Sequence, residues 1–561
     1  MRFTDERLSL THPYSRHLRG HGREDATEEE PDGPTCPGPL IVVSNRQPYR
    51  HEYADDTPAV ADSATGGAEM ETLEADDDAV TVDEPTGGLT AGLDPVLRHA
   101  NGTWIAWGDG DADFAVADGD NCVSVPPSHE SYTLRRIDLS DEAVDSYYYG
   151  FSNQVLWPIC HGFPDLVSDR DDYVEWYRTV NDRFAAAVET HASADSVVWL
   201  QDYHLGLAPR TIRDAVPDTV TVAQFWHIPW PSPEVLAECP VAEELLEGLL
   251  GNDLLGFHVD SYVDTFLASI NRLLPSAAVD PNRNIVRYDG WETRVVATPM
   301  GIDAETYDRN ARTADDDRLS SLFDALGVSD GNAIGLGVDR LDYTKGIPER
   351  LAAVERFFER NPAWRGEFTF VQKATPSRTE IPTYQRYGDH VRREVERIND
   401  RFATDDWRPI AYTESYLEAE TLSALYRRAD VMVVSPLVDG MNLVAQEYVA
   451  SSVDRDGTLL LSDRVGAHER LGSHALSIDP ADTEGVATRI EEAVSMPRQE
   501  RRRRMDELRS RVFENDIESW MSTQFDWIQR VRDVTDVDAN GTDDSSNSGT
   551  DHDVHGHTPS L

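Results

Sequence analysis

The segment VDRLDYTKG at 338–346 offers two cations at the end of an apolar run, Arg340 and Lys345. The chain has 51 basic residues, and only Lys345 and Lys373 among them are lysines. Lysine brings a compact, rotatable charge where arginine brings a planar fork. A lysine kept at this point fits a diphosphate leaving group that needs a cation at one position. The segment SPLVDGMNLVAQEY at 435–448 places an Asp-Gly turn before a helical pattern. The turn is expected to cap that helix and to aim the amides of Gly440, Met441, Asn442, Leu443 and Val444 at a ligand, with Asp439 beside them. Glu447 falls about two turns beyond Asp439, where its carboxylate can accept hydrogen bonds from ribose hydroxyls. A third constellation begins where LIVVSNR ends in Ser44, Asn45 and Arg46. Further on, TGGL at 86–89 presents Gly87 and Gly88 ahead of a helical stretch, a turn suited to a phosphate.

Two other patterns suggest chemistry that their surroundings do not support. Asp109 and Asp111 spell D-x-D, as in metal-dependent sugar-nucleotide transferases, but they are read as part of an acidic loop, GDGDADF, with no hydrophobic strand before it. Asp454-Arg455-Asp456-Gly457 resembles the nucleophile loop of haloacid-dehalogenase-type phosphatases. That loop needs a strand immediately before it; here the strand TLLLS comes after, and the remaining chain is too short for a phosphatase domain. No metal site is expected.

The elements that position these residues are legible as short β-branched runs alternating with amphipathic helical stretches. One series comprises 40–46, 197–203, 220–228 and 254–259; a second comprises 333–340, 368–374, 431–437 and 458–464. Nearly continuous apolar strands separated by helices predict parallel sheets buried on both faces. Two such series, joined near PMGID at 299–303, predict an α/β chain of two doubly wound, Rossmann-like domains facing a central cleft. Ligands in such sheets bind at the carboxyl ends of strands, so residues just after each run carry the function. The expected division is a disordered tail over 1–37, a first domain over 38–300 with a disordered acidic insert at 50–84, and a second domain over 301–514. A helix over 515–533 is expected to return to the first domain, before a disordered acidic tail over 534–561.

Composition narrows the partners. Acidic residues number 103, for a formal net charge of -52, a field that repels nucleic acid and anionic membranes. There is no run long and apolar enough to span a bilayer and no leader-like start. Cys36, Cys122, Cys160 and Cys239 are scattered, as free thiols of a reducing cytoplasm would be. An acidic, lysine-poor chain is read as adapted to a salty cytoplasm, where screening relieves self-repulsion.

From about residue 39 to 533 the chain resembles the trehalose-6-phosphate synthases, retaining glycosyltransferases of the GT-B fold. The shared elements occur in order: VSNR, TGGL, W-x-x-W, YYxxFSNxVLWP, DYHL, HIPxPxPE, DLLGF, PxGID, RLDYxKG, PSR and DGMNLVxxEY. The resemblance implies transfer of glucose from UDP-glucose to glucose 6-phosphate without a metal ion or cofactor. It implies an acceptor site of Arg46, Trp107, Tyr148, Trp157, Asp202 and Arg378. The implied donor site is Gly87, Gly88, His227, Arg340, Lys345, Leu417, the stretch from Asp439 to Val444, and Glu447. His227, Asp202, Arg340 and Lys345 would carry the catalysis, the cations by stabilising charge on the departing diphosphate.

Three positions depart from the pattern. Residues 50–84 enlarge a loop beside the site, Lys373 stands where the family usually has an aliphatic residue, and Gln201 replaces a histidine before Asp202. A sibling activity such as glucosylglycerol-phosphate synthase would share the donor site, but the complete set Arg46, Tyr148, Trp157 and Arg378 favours glucose 6-phosphate. A catalytically silent sugar-phosphate sensor would be expected to lose donor-site charges, and Arg340, Lys345, Asp439 and Glu447 are all present. The motifs leave the donor base (UDP, ADP or GDP) open, and homo-oligomerisation too.

Overall fold

In the run Leu40–Ser44 every residue is buried. Ile41 and Val43 enter one apolar cluster while Leu40 and Val42 enter another, following the two-residue alternation of a strand. Burial on both faces is what a parallel strand covered by helices requires. The computed structural model describes residues 34–54, 80–84, 88–168, 170–329 and 331–541, and within them the apolar runs become the centres of two sheets.

The first sheet has ten strands. Its parallel centre runs, in spatial order, Trp291–Ala297, Leu254–Phe257, Thr221–Phe225, Val197–Gln201, Leu40–Ser44, Thr103–Trp107 and Tyr132–Ile137. The chain builds outward on one side of Leu40–Ser44 and then returns to build the other side. The topological switch therefore lies between Leu40–Ser44 and Val197–Gln201, which pair in parallel. Its edges depart from the parallel reading: Cys122–Val125 is antiparallel at one end, and Ala278–Asp280 with Ile285–Tyr288 forms an antiparallel meander at the other. The second sheet is parallel throughout, in the order Ile410–Thr413, Phe368–Thr375, Ala333–Arg340, Val431–Val434, Thr458–Ser462 and Leu476–Ile478. Its switch lies between Ala333–Arg340 and Val431–Val434.

The chain passes between the sheets twice, and the two crossings bind each other. Ile517 donates its amide to the Ile302 carbonyl at 3.0 Å, and the Asn515 side chain donates to the Pro299 carbonyl at 3.0 Å. The helix Ile517–Gly541 then lies on the first sheet, with Trp520, Met521, Phe525 and Ile528 in the cluster that holds Leu40 and Val42. This helix runs beyond residue 533, so 534–541 are helical rather than the start of a disordered tail. No proline or glycine interrupts it before Gly541.

The acidic insert also needs correcting. Its ends are ordered as a two-stranded antiparallel ribbon, Arg50–Tyr53 against Val80–Asp83, while 55–79 lie outside the described residues. Two carboxylates that composition alone assigned to a bare acidic loop hold the ribbon. Asp113 accepts from the His51 amide at 2.8 Å, and Asp111 accepts from the Tyr53 amide at 2.9 Å. The strand Thr103–Trp107 does stand before Asp109, contrary to the sequence reading; yet Asp109 accepts from the Gln47 side chain at 2.7 Å. Among the described residues no helix is long and apolar enough to cross a membrane.

Candidate active site in the cleft between the sheets

The first sheet presents its candidates at the switch. Arg46 follows Leu40–Ser44 and stands solvent-exposed beside Tyr148. Tyr148 rides on a π-helix, Val144–Leu156, a wide-turn geometry that often marks functional sites. Burial would raise the Tyr148 phenol, but Arg46, Arg378 and Arg340 together bring it below its usual range. Trp107 closes this end, its ring centroid 5.8 Å from that of Tyr148.

Asp202 follows Val197–Gln201 with φ 72°, a left-handed backbone that a non-glycine residue holds only at a cost. Burial pushes its carboxyl up to about 6, against backbone hydrogen bonds from Tyr203 and His227. His227 follows Thr221–Phe225. Its Nε2 lies 2.9 Å from Gln201 Oε1, an arrangement in which Nε2 holds the proton and Nδ1 keeps its lone pair. Burial, with His258 beside it, holds His227 well below the ordinary imidazole range, so the ring is neutral. The departure at Gln201 thus has a consequence: an amide now orients His227.

The second sheet answers from its own switch. Arg340 ends Ala333–Arg340, and Lys345 follows in the next turn. Lys345 Nζ donates to Asp439 Oδ2 at 2.6 Å, joining the two sides of the switch, and the Asn442 side chain donates to the same oxygen at 3.0 Å. Asp439 does not cap the following helix. That helix, Leu443–Ser451, is capped by Asn442, whose side chain accepts from the Ala445 amide at 3.0 Å while its backbone sits at φ 76°. The sequence reading misplaced the cap because Asp-Gly is the commoner turn signal. Among the described residues the amides of 440–444 have no backbone acceptor. Glu447 accepts from Tyr426 at 2.9 Å, and burial raises its carboxyl. Leu417 follows Ile410–Thr413 and packs against the same apolar cluster as Leu443 and Val444.

The two halves meet at Arg378, in the left-handed backbone region at φ 51° after Phe368–Thr375. Its guanidinium lies 4.0 Å from the Trp157 ring centroid, and Arg340 lies 5.5 Å from the same ring. Arg378 donates to Tyr384 and Tyr203 and pairs with Asp342 at 3.3 Å. Burial alone would raise the Asp342 carboxyl, but Arg378, Arg340 and Lys345 hold it low. Elsewhere along the meeting face, Tyr262 donates to the Asp439 carbonyl at 3.1 Å, and Gly440 lies against the His227 carbonyl.

Arg46, Arg340, Lys345 and Arg378, with Asp342 and Asp439 as counter-charges, therefore face one another across strand ends of opposite sheets. This arrangement can hold two anionic substrates head to head. Gly87 lies outside the described residues, and Gly88 begins the helix Gly88–Ala100. The phosphatase-like loop is consumed by surface ion pairs, Asp454 with Arg427 and Asp456 with Arg498 and Arg502. Among the described residues no three His, Cys, Asp or Glu side chains converge as a metal site. Sequence reasoning missed Asp342, Tyr203, His258 and Tyr384. The first two stand inside quoted motifs and could have been found there; Tyr384 belongs to no motif, and only the fold brings it to Arg378.

Residues 60–530 match the family described as Glycosyltransferase family 20. A trehalose-6-phosphate synthase of Mycolicibacterium smegmatis is 37% identical, over 81% of this chain and 89% of that protein. A bifunctional trehalose-6-phosphate synthase/phosphatase of Thermoproteus tenax is also 37% identical, over 86% of this chain but 62% of that protein. Among solved structures, an alpha,alpha-trehalose-phosphate synthase (UDP-forming) from Burkholderia xenovorans in complex with glucose-6-phosphate is 31% identical. It superposes with a TM-score of 0.73, covering 87% of this chain and all of that one.

Proposed function

The chain belongs to glycosyltransferase family 20, and on that premise we propose that it moves glucose from UDP-glucose to glucose 6-phosphate with retention, giving UDP and trehalose 6-phosphate. The observation that supports the reading is a set of four cations at the strand ends of the two sheets, Arg46, Arg340, Lys345 and Arg378, with Arg340 and Arg378 both over the Trp157 ring. Arg46 and Arg378 take the acceptor phosphate, where a planar fork suits a phosphate monoester; Tyr148 and Trp107 border it, and Trp157 floors the acceptor sugar. Arg340 and Lys345 take the donor diphosphate. The amides of residues 440–444 and Gly87–Gly88 support it, while Leu417 lies by the base and Glu447 by the ribose.

The acceptor hydroxyl oxygen attacks the glucose C1 on the face that the diphosphate leaves. A C–O bond forms, the bond from C1 to the diphosphate oxygen breaks, and the hydroxyl proton passes to the departing phosphate oxygen. Asp202 orients the acceptor hydroxyls, neutral His227 holds the donor glucose, and Arg340 with Lys345 stabilises the charge growing on UDP. On this reading, residues 38–300 with the 517–541 helix bind the acceptor, residues 301–514 bind the donor, and the chain works in the cytoplasm without a metal.

The test is a panel of nucleotide sugars offered with glucose 6-phosphate and, separately, with glycerol 3-phosphate in molar KCl, the product's anomeric configuration being read by NMR. An α,α-linked phosphorylated disaccharide supports the reading. An inverted linkage, or transfer confined to glycerol 3-phosphate, overturns it.

A further inference from the structure

Lys373 lies on Phe368–Thr375 and is 7% exposed. Its register partners are Val338 on one neighbouring strand and Thr413 on the other. Strand alternation places Lys373 on the same face as Val371, and Val371, Val338 and Ala411 all belong to the apolar cluster on which Leu417, Leu443 and Val444 pack. That face, at the carboxyl end of the strands, is where the donor's base is placed above.

An ammonium group has three donors and no acceptor. Lys373 spends one on the Thr375 hydroxyl, and among the described residues no carboxylate pairs with it. Burial lowers its pKa from the ordinary lysine value. A buried cation with one hydroxyl partner is under-satisfied, in a chain that otherwise uses arginine for nearly every positive charge.

We propose that Lys373 reads the base of the donor nucleotide, completing its hydrogen bonds with the carbonyl oxygen of a keto base (uracil or guanine) and opposing the amino edge of adenine. The keto bases turn acceptors outward, whereas adenine's exocyclic amino group would set a donor against a donor. The inference rests on the donor-site reading given above and goes beyond it, because the family's motifs leave the base open.

The experiment titrates free UDP, GDP and ADP into the wild type and into Lys373→Met and Lys373→Gln by calorimetry in molar KCl, with melting curves as the check on folding. The wild type is expected to bind UDP or GDP more tightly than ADP. Lys373→Met should lose roughly tenfold to a hundredfold of that preference, the worth of one charged hydrogen bond. Lys373→Gln, whose amide also accepts, should gain ADP affinity. A wild type that prefers ADP overturns the inference, as does a folded variant with an unchanged ratio or one that loses all three nucleotides equally. Glucosyl transfer by the wild type is measured in parallel. Failed transfer with an intact keto preference would remove the function and leave Lys373's role standing; transfer with an unchanged base ratio would do the reverse.

Discussion

Lys345 and Arg378 are both cations within reach of Asp342's field, yet their partners set them apart. Lys345 is tied to Asp439, on the side proposed for the donor, whereas Arg378 stacks on Trp157 and reaches Tyr203, on the side proposed for the acceptor. Lys345→Ala should lower kcat with every acceptor, since it removes charge stabilisation that matters most as the diphosphate leaves. Arg378→Ala should mainly raise the KM for glucose 6-phosphate. Each loss should be roughly tenfold to a hundredfold in kcat/KM; a normal acceptor KM in the Arg378 variant, with UDP-glucose binding lost, would reverse the two assignments. Asp202 gives a second test. Its carboxyl is raised to about 6, and it accepts from a substrate hydroxyl far more strongly when ionised, so activity should climb with pH through that value. The stability consequence has the opposite sign. The folded state holds this proton more tightly than the unfolded chain, so the group destabilises the fold above pH 6 and the penalty fades as pH falls toward 4. Asp202→Asn should therefore melt at a higher temperature than wild type at pH 7.5 while losing activity; an unchanged or lower melting temperature would count against a partly buried, charged Asp202.

Central strands were readable because β-branched runs such as VVWLQ and VMVV need no partner to declare themselves, and motif residues at their ends came with them. The edge strands, the ribbon at the insert and the π-helix were not, because each depends on tertiary partners: Tyr53 needs Asp111, and Tyr147 needs Asn45 at 3.0 Å. The cap at Asn442 was missed for a related reason, since its side chain is held by Asp439, whose own partner Lys345 comes from a distant segment. That same turn brings Gly440 against the other half of the protein. A methyl group at Gly440 would meet the His227 carbonyl oxygen at 2.2 Å, and backbone on both sides gives it no room to yield. Gly440→Ala should leave the melting temperature near wild type but hold donor and acceptor sites apart, lowering kcat/KM by roughly a hundredfold. A folded Gly440→Ala enzyme with full activity would show that the halves need not approach so closely during catalysis.

Across the chain, 103 acidic residues face 51 basic ones, and the two populations respond oppositely to salt. Arginine pairs decorate the surface, as where Arg397 and Arg401 share Glu355, and salt weakens them. Exposed pairs of this kind contribute only about 0–1 kcal/mol each, and even if every basic residue were paired, 52 uncompensated negative charges would remain. Their mutual repulsion acts over the Debye length, about 10 Å at 0.1 M and about 3 Å at 1 M. At low salt each excess charge therefore feels many others, and at high salt almost none. The repulsive sum should dominate, so the melting temperature should rise steeply between about 0.1 M and 3 M KCl. The active site should follow the same trend, because two anionic substrates must approach a strongly negative protein before its local cations can hold them. Screening of that long-range barrier should lower KM for both substrates at first, even though it weakens the contacts at Arg46 and Arg378. A melting temperature that stays flat over this range would mean that the surface pairs balance the excess charge, and would remove the argument for a salt-adapted chain.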